Sequence, residues 1–506
     1  MFAGIDTFEI VMIEEEYIRL IFGLKMKQIR TEKDLSLYGL AKLTGLSKSY
    51  LNEIEKGKKY PKTDKIVAIA ESLDVPYDNL VSLKLDKNLA PLGEILQSKI
   101  LKEIPLDLFG IREADLIDII SNAPVKVNAF ISTLIEIAQN YNLTRENFFL
   151  AALRSYQEAN NNYFDEIEKK AEQFAQAYSI NNSIPVETEQ LEEILVEEFA
   201  YNIVKDGLKG HEELRELRSI YIPSTKTLLL SSKMDKSQLA FIYAKEIGYN
   251  YMLITDRLYT FSWIKFESFD QVLNNFMASY FAGALLVPKQ PLLSKLKSFF
   301  DNTKWDQVIF EQMISSFNAS AETFYQRLTN ILPHHFHFKN LFFLRFTKNV
   351  NEQKYNLSKE LHITRQQAPH ANEAFEHYCR RWISINLLNN PSKDKEITDV
   401  QISHYAESEQ EYLVISSVAP DPFKDDCYRS VSIGMLMSTQ LKSKVQFSED
   451  AKIPRKHVGI TCERCAIIDC KERACEPTVL VKQHENKRIE EVIDMLVSKY
   501  SASKGK

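Results

Sequence analysis

The chain has 506 residues, a formal net charge of -6 and 26% charged residues. That describes an ordinary soluble protein with room for roughly three to four domains, and it excludes a small scaffold that depends on disulfide staples. Apolar stretches at the N-terminus are broken by Asp6, Glu9 and the acidic run Glu14 to Glu16, and nowhere does an uninterrupted apolar run reach about 18 residues, so neither a signal peptide nor a membrane span is expected. The expected compartment is the cytoplasm, where disulfides are uncommon and clustered cysteines more often bind metal. Either Met1 or Met12 can serve as the start.

Residues 25 to 65 carry eleven Lys or Arg against five Asp or Glu, leaving an acidic remainder. A basic module on an acidic body points to a polyanionic partner. Within it Leu37, Leu40 and Ala41 recur at helical spacing, Gly45 breaks the pattern, and Ser47 can cap a second helix through Tyr50, Leu51 and Ile54. Two further amphipathic stretches follow Gly57 and Pro61, from Thr63 to Leu73 and from Tyr77 to Leu83.

The series Leu35-Ser36, Leu40-Ala41, Gly45-Leu46-Ser47, Leu51, Ile54-Glu55-Lys56-Gly57 and Pro61 resembles the XRE (lambda-repressor-like) helix-turn-helix family. The resemblance implies a five-helix DNA-binding domain over residues 15–85. In that geometry the helix from Ser47 to Glu55 lies in the major groove of a double-stranded operator. Lys48, Ser49 and Asn52 then face bases, while Ser36, Lys56 and Lys58 face phosphates, with Ser47 at the same helix start. Leu37 departs from the family, where many relatives carry a DNA-contacting Gln. Such proteins read paired half-sites, so a homodimer is expected.

Residues 88–180 read as helices without a catalytic constellation and are expected to be a helical linker. Beyond a turn at Asn181 to Pro185 come short strands, Ser219 to Ile222 and Thr227 to Ser231, and a long apolar helix, QLAFIYAKEIGYNYMLI. This order resembles the ImmA/IrrE zinc-peptidase-like domain, here expected over 185–345. In that family a helical His-Glu-x-x-His supplies two zinc ligands, and a Glu six residues before the Phe of Phe-Ala-x-x-Leu-Leu-x-Pro supplies the third. The tail pattern is present as FAGALLVP from Phe281, but the three ligand positions hold Lys245, Tyr249 and Asn275, with Glu246 alone retained. A lysine ammonium repels a metal ion, so the expectation is a degenerate, non-enzymatic platform with no catalytic residues. His334, His335 and His337 are expected to flank a strand, NLFFLRF, rather than to bind metal.

Residues 346–500 alternate strand-like runs, ITDVQISHYA, EYLVISSVA and RSVSIGMLMST, before a cysteine cluster, Cys462-x2-Cys465-x4-Cys470-x4-Cys475. Spacing alone leaves two chemistries open, structural zinc and an iron–sulfur cluster covered by Ile467 and Ile468. The whole arrangement resembles the short-chain fatty acyl-CoA regulator (ScfR-type) family, on Ile460, Cys462, Cys465, Cys470, Arg473 and Ala474 at the tail and on CRRW, Cys379 to Trp382, upstream. The resemblance implies a sensor domain that binds short-chain acyl-CoA and a 4Fe–4S cluster held mainly by three cysteines. Cys475 departs from the family and is either a fourth ligand or a small buried residue. Cys379 and Cys427 read as core, with Cys379 within reach of the cluster. Lys452, Arg455 and Lys456 are a weak candidate for phosphate contact.

The fold class expected is therefore multidomain, mostly α with α+β: a lambda-repressor-like head, a helical linker, a zincin-like pseudo-peptidase domain and a C-terminal α+β sensor domain. The function expected is a transcription regulator sensing acyl-CoA. The rivals are a zinc-dependent metallopeptidase that cleaves a repressor, and a zinc-tailed DNA-binding protein without a metabolite sensor.

Overall fold

A computed structural model describes residues 5–82, 145–180, 184–259, 268–363, 376–392, 395–406 and 408–502. The expected linker lies outside the described residues up to 144, as do Met1 and parts of the turns at 181–185 and 407–410. The chain forms two compact units, residues 1–152 and 153–506. Among the described residues, no helix is long and apolar enough to cross a membrane.

The first unit begins with α1 (Ile5–Glu32), α2 (Leu37–Thr44), α3 (Lys48–Glu55), α4 (Thr63–Ser72) and α5 (Tyr77–Val81). Ser36 and Ser47 cap α2 and α3 by accepting hydrogen bonds from the Gly39 and Tyr50 amides, satisfying donors that the first helical turn leaves open. Between these helices Gly45 adopts φ 68, the left-handed conformation that ends α2. The helices close on a core of Phe22, Met26, Leu40, Leu51, Ile54, Ile66, Ile69, Leu73 and Leu80. Arg30 fastens α1 to α3 through a two-pronged pair with Glu55 (2.6 and 3.0 Å) and also donates to the Leu35 carbonyl at 2.7 Å.

Farther along, α6 (Arg145–Ala159) and α7 (Asp165–Ala177) match the helical expectation for the residues that are described. Next come α8 (Thr188–Glu197) and β1 (Asn202–Val204), β2 (Ser219–Ile222) and β3 (Thr227–Leu230), which form a small sheet in the order β1-β3-β2. Behind it stand α9 (Lys236–Tyr251) and α10 (Phe269–Leu286), then α11 (Lys289–Phe300), α12 (Gln307–Ser315) and α13 (Ala321–Ile331). A buried charge pair ties three of these helices together. Arg327 of α13 grips both oxygens of Glu168 in α7 at 2.5 and 2.8 Å, and Tyr280 of α10 donates to the same carboxylate at 2.7 Å.

A six-stranded sheet follows, built from β4 (Leu341–Asn349), β5 (Asn356–Ile363), β6 (Ile397–Tyr405), β7 (Gln410–Pro420), β8 (Cys427–Leu436) and β9 (Arg455–Val458). Its order is β5-β4-β8-β7-β6-β9, antiparallel except for the β6/β9 pair. The expected domain boundary at 345/346 falls inside β4, so residues on both sides of it share one sheet. One face, with Phe343, Ile415 and Ile433, joins the core of the helices before it. The opposite face, with Phe342, Leu344 and Val414, packs on α14 (Ile383–Asn389), Cys379 and Trp382. Two elements close the chain, α15 (Thr439–Lys444) and α16 (Thr478–Ala502).

Gly23 carries a requirement that local pattern does not reveal. A Cβ there would sit 2.2 Å from the Ile54 carbonyl oxygen and 3.0 Å from that of Glu55, both backbone atoms of α3. Alanine gains about 1 kcal/mol of helix propensity, but forcing α1 off α3 costs about 1–3 kcal/mol and also disturbs the Arg30–Glu55 pair. Gly23→Ala should therefore lower the melting temperature of the head, followed by thermal denaturation; an unchanged or raised melting point removes the close approach as a constraint.

Candidate functional site

The face of α3 opposite its buried Leu51 and Ile54 presents Lys48, Ser49 and Asn52 to solvent, with Lys56 and Lys58 exposed just beyond the helix end. Ser36 and Ser47 are exposed as well, but each already accepts a backbone N–H as a cap, which leaves the hydroxyl proton free to donate. Around this face lie exposed Tyr38 with Lys42 at 5.0 Å from its ring, and Tyr50 with Lys65 at 4.9 Å. The arrangement is a pre-capped helix with short polar side chains at its N-terminal end and cations at its rim, which suits a phosphate-flanked groove.

In the second unit, Lys245, Tyr249 and Asn275 come together. Lys245 donates to Asn275 Oδ1 at 2.6 Å, and the Tyr249 hydroxyl reaches the same oxygen at 3.3 Å. Glu246 is not idle: Arg257 pairs with it at 2.5 Å, and the Tyr201 hydroxyl donates to it at 2.9 Å. The Arg257 guanidinium lies 4.0 Å from the Tyr249 ring centroid and 4.1 Å from that of Tyr221. Burial pulls the Lys245 ammonium down to about 7, against the opposing pull of Glu246. Arg257 and Tyr201 were missed in the sequence, because they reach Glu246 from loops 11 and 45 residues away.

Of the three neighbouring histidines, His334 stacks on Tyr163 with ring centroids 3.8 Å apart and His335 meets the same ring edge-on. They sit in a single π-helical turn, Leu332–Phe336, that ends at His337 in the left-handed conformation (φ 61). The strand they were expected to flank is β4.

The cysteine module is assembled by a two-residue ladder. The Cys379 amide donates to the Ile460 carbonyl at 3.0 Å, and the Cys462 amide donates to the His377 carbonyl at 2.8 Å. Trp382 anchors the same junction through its indole N–H to the Gly459 carbonyl (2.9 Å). As a result Cys379, Cys462, Cys465 and Cys470 line one cavity with Ile467 and Arg473. Arg473 holds the loop in shape by donating to the carbonyls of Cys462 (3.1 Å), Cys465 (3.2 Å) and Ile467 (2.5 Å). The Ala474 amide points at Cys462 Sγ from 3.3 Å.

The four thiols in this lining fit zinc or an iron–sulfur cluster by donor chemistry. The enclosed space is about 10 Å³, so a polynuclear group needs the exposed 466–472 stretch to open outward. One sequence expectation is corrected here: Ile468 is 90% exposed and covers nothing. Cys475 is half-buried and does not line this cavity. Cys427 begins β8 and is half-buried, remote in its pairing from the module. Of the cationic stretch, Arg455 pairs with Glu411 at 3.5 Å, and Lys452 is exposed.

Beside the module opens a cleft of about 1220 Å³, whose lining includes Lys348, Lys354, Tyr355, Arg380 and Arg473, together with Glu352, Glu376 and Glu472. Lys348 and Arg380 flank the Tyr355 ring at 5.1 and 4.2 Å.

Residues 26–80 match the helix-turn-helix family model. This head is an XRE-family helix-turn-helix domain, and the protein is a DNA-binding transcription regulator. Over 488 residues, 91% of this chain and 95% of the relative, it is 21% identical to a propionyl-CoA carboxylase regulator of Cereibacter sphaeroides. It is also similar to a solved Mycobacterium tuberculosis transcriptional regulator, at 18% identity and TM-score 0.45, covering 64% of this chain and 92% of that one.

The buried lysine gives a pH signature. Its folded-state value of about 7 lies below the ordinary 10.5, so between those values the unfolded chain binds more protons and stability rises with pH. Each unit is worth at most about 1.4 kcal/mol. Lys245→Met should lose the part of the stability gain between pH 7 and 9 that wild type draws from this group; superimposable profiles in the two proteins count against it.

Proposed function

We propose that this regulator couples DNA binding to a short-chain acyl-CoA, with an iron–sulfur cluster in its C-terminal module. The observation that carries the DNA half is the exposed Lys48, Ser49 and Asn52 face on a capped α3. For the effector, support comes from the name of the full-length relative and from a cleft large enough for a CoA thioester. Lys348, Lys354 and Arg380 would meet its phosphates and the ring of Tyr355 its adenine. Cys462, Cys465 and Cys470 would hold the cluster, with Cys379 beside them; the cluster would supply a rigid, redox-responsive cross-link for the loop. Ligand control of DNA binding requires different affinities for the competent and incompetent states.

The middle of the chain is, in this reading, a non-enzymatic platform of ImmA/IrrE type. Lys245, Tyr249 and Asn275 satisfy one another where that family places zinc ligands, and Arg257 neutralises Glu246. An ammonium and a guanidinium at such a site replace the metal's charge and disfavour its binding.

A homodimer fits the exposed apolar stripe Ile489, Val492, Ile493 and Leu496 on α16. Arg488 and Asp494 stand at equal distances either side of residue 491, so antiparallel pairing of two copies brings opposite charges together.

Two measurements test the reading. DNA selected by the wild-type protein from a random pool should bind Lys48→Ala/Asn52→Ala at least about tenfold more weakly at fixed salt; equal affinity removes the docking face. Protein purified without oxygen should hold about four irons and four sulfides per chain, lost in Cys462→Ala. Its propionyl-CoA affinity by calorimetry should fall about tenfold in Arg380→Ala. No iron, or titration heats unaltered by Arg380→Ala, dismisses the corresponding part.

A further inference from the structure

Cys475 is the cysteine that the family pattern does not explain, and the structure gives it other company. Its thiol lies with His377 Nδ1 and a Glu463 carboxylate oxygen in a group whose ligand atoms are all within 4.8 Å of one another. His377 Nδ1 and Glu463 Oε1 are 2.7 Å apart, and the His377 backbone amide donates to both oxygens of Glu463 at 3.1 and 3.0 Å, so the carboxylate is oriented before any ligand arrives. Cys475 shares a hydrogen bond with the same carboxylate. It also borders, with Cys465 and Cys470, a depression on the outer side of the loop, yet it is absent from the cavity that Cys379, Cys462, Cys465 and Cys470 line.

We propose that His377, Glu463 and Cys475 form a separate site for one zinc ion, distinct from the cysteine cavity. The donors are one nitrogen, one oxygen and one sulfur. A thiolate beside an imidazole selects zinc or a similar borderline metal over magnesium and calcium. Ligand bonds of about 2.0–2.3 Å put donor atoms on a tetrahedral ion roughly 3.3–3.8 Å apart, so the widest pair, within 4.8 Å, has to close and the His377–Glu463 pair, at 2.7 Å, has to open. On binding, the Cys475 thiol gives its proton to solvent, and the His377 ring, whose Nδ1–H donates to the Glu463 carboxylate, moves that hydrogen to Nε2 so that the Nδ1 lone pair faces the metal. His377 is exposed, which leaves the fourth position to water.

The site has a mechanical meaning. The Glu463 carbonyl accepts the Val479 and Leu480 amides at 3.1 and 3.2 Å, at the start of α16. His377 belongs to the ladder that carries Cys379. A zinc ion here would staple the entry of α16 to the strand that flanks the cysteine cavity, without entering that cavity.

The test uses the full chain, purified anaerobically with added zinc and analysed for zinc, iron and sulfide. Wild type should carry about one zinc per chain. Cys475→Ser and His377→Ala should each reduce zinc by about tenfold or more, with iron and sulfide unchanged. Cys475→His, which keeps a metal-binding side chain, should retain zinc; in cobalt-loaded protein it should lack the sulfur-to-cobalt charge-transfer absorption that wild type gains. Zinc that survives Cys475→Ser but vanishes in Cys462→Ala would place the metal in the cysteine cavity and overturn the proposal. Loss of iron in Cys475→Ser would do the same, by making Cys475 a cluster ligand. A protein with no iron but with zinc that follows Cys475 and His377 would sink the iron–sulfur reading and leave this site standing.

Discussion

The pleat of the six-stranded sheet is the constraint on which the second unit depends. Neighbouring residues of one strand point to opposite faces, and β4 uses that alternation without compromise: Phe343 enters the core shared with the helices before it, while Phe342 and Leu344 enter the core shared with Trp382 and Cys379. The central strands β7 and β8 are therefore covered on both faces. Gly434 in β8 marks how tightly they are filled, since a Cβ there would lie 2.2 Å from the Phe342 ring. A sheet covered on both sides cannot slip by one residue without moving every apolar side chain to the wrong core. The helices before the sheet and the residues around Cys379 and Trp382 consequently pack on two faces of one register.

Signals that lie within a few residues of one another were legible in the sequence. The head could be read from Ser36, Ser47, Gly45 and the apolar spacing because caps and turns are local chemistry, and β2, β3, β6, β7 and β8 could be read from alternation bounded by polar turns. What escaped is non-local. Nothing near Gly23 announces that α3 passes within van der Waals range of it. Arg257 and Tyr201 find Glu246 only after folding. His377 lies 86 residues from Glu463, so no spacing rule joins them. Ile468 was misjudged for the reverse reason, since an apolar residue beside cysteines looks like cover until the loop is seen to point it at solvent.

The cluster around Lys245 shows how a buried polar centre can be held by its own side chains. Desolvating an isolated ammonium or carboxylate is expensive, and a lone buried charge changes protonation rather than bear that cost. Here Lys245 moves down to about 7 while Asn275 accepts its proton donor, and Glu246 remains matched by Arg257 between two aromatic rings. Lys245, Glu246 and Asn275 each have a partner, while Arg257 Nε is left without one, and the Lys245–Asn275 contact joins α9 to α10. Partial loss would be worse than complete loss, because deleting one member leaves the others buried and unmatched.

The cysteine module has the opposite economy. It has few apolar contacts of its own, and its loop is shaped by one guanidinium, Arg473, reaching three carbonyls, and by the short ladder between residues 377–379 and 460–462. Those bonds define where the thiols point, but they leave the 466–472 stretch mostly exposed and without strand or helix to resist displacement. Such a segment has a low local opening free energy. In the proposed reading, a metal in the cavity would act on a part of the fold that little else holds, and its binding would change the rigidity of this loop far more than that of the sheet beneath it. Arg473 also belongs to the wall of the large cleft, so the side chain that braces the cysteine loop is one that a bound anion would also touch. A single guanidinium shared between the two would give the proposed ligand and metal a physical means of sensing each other, through competition for its donors.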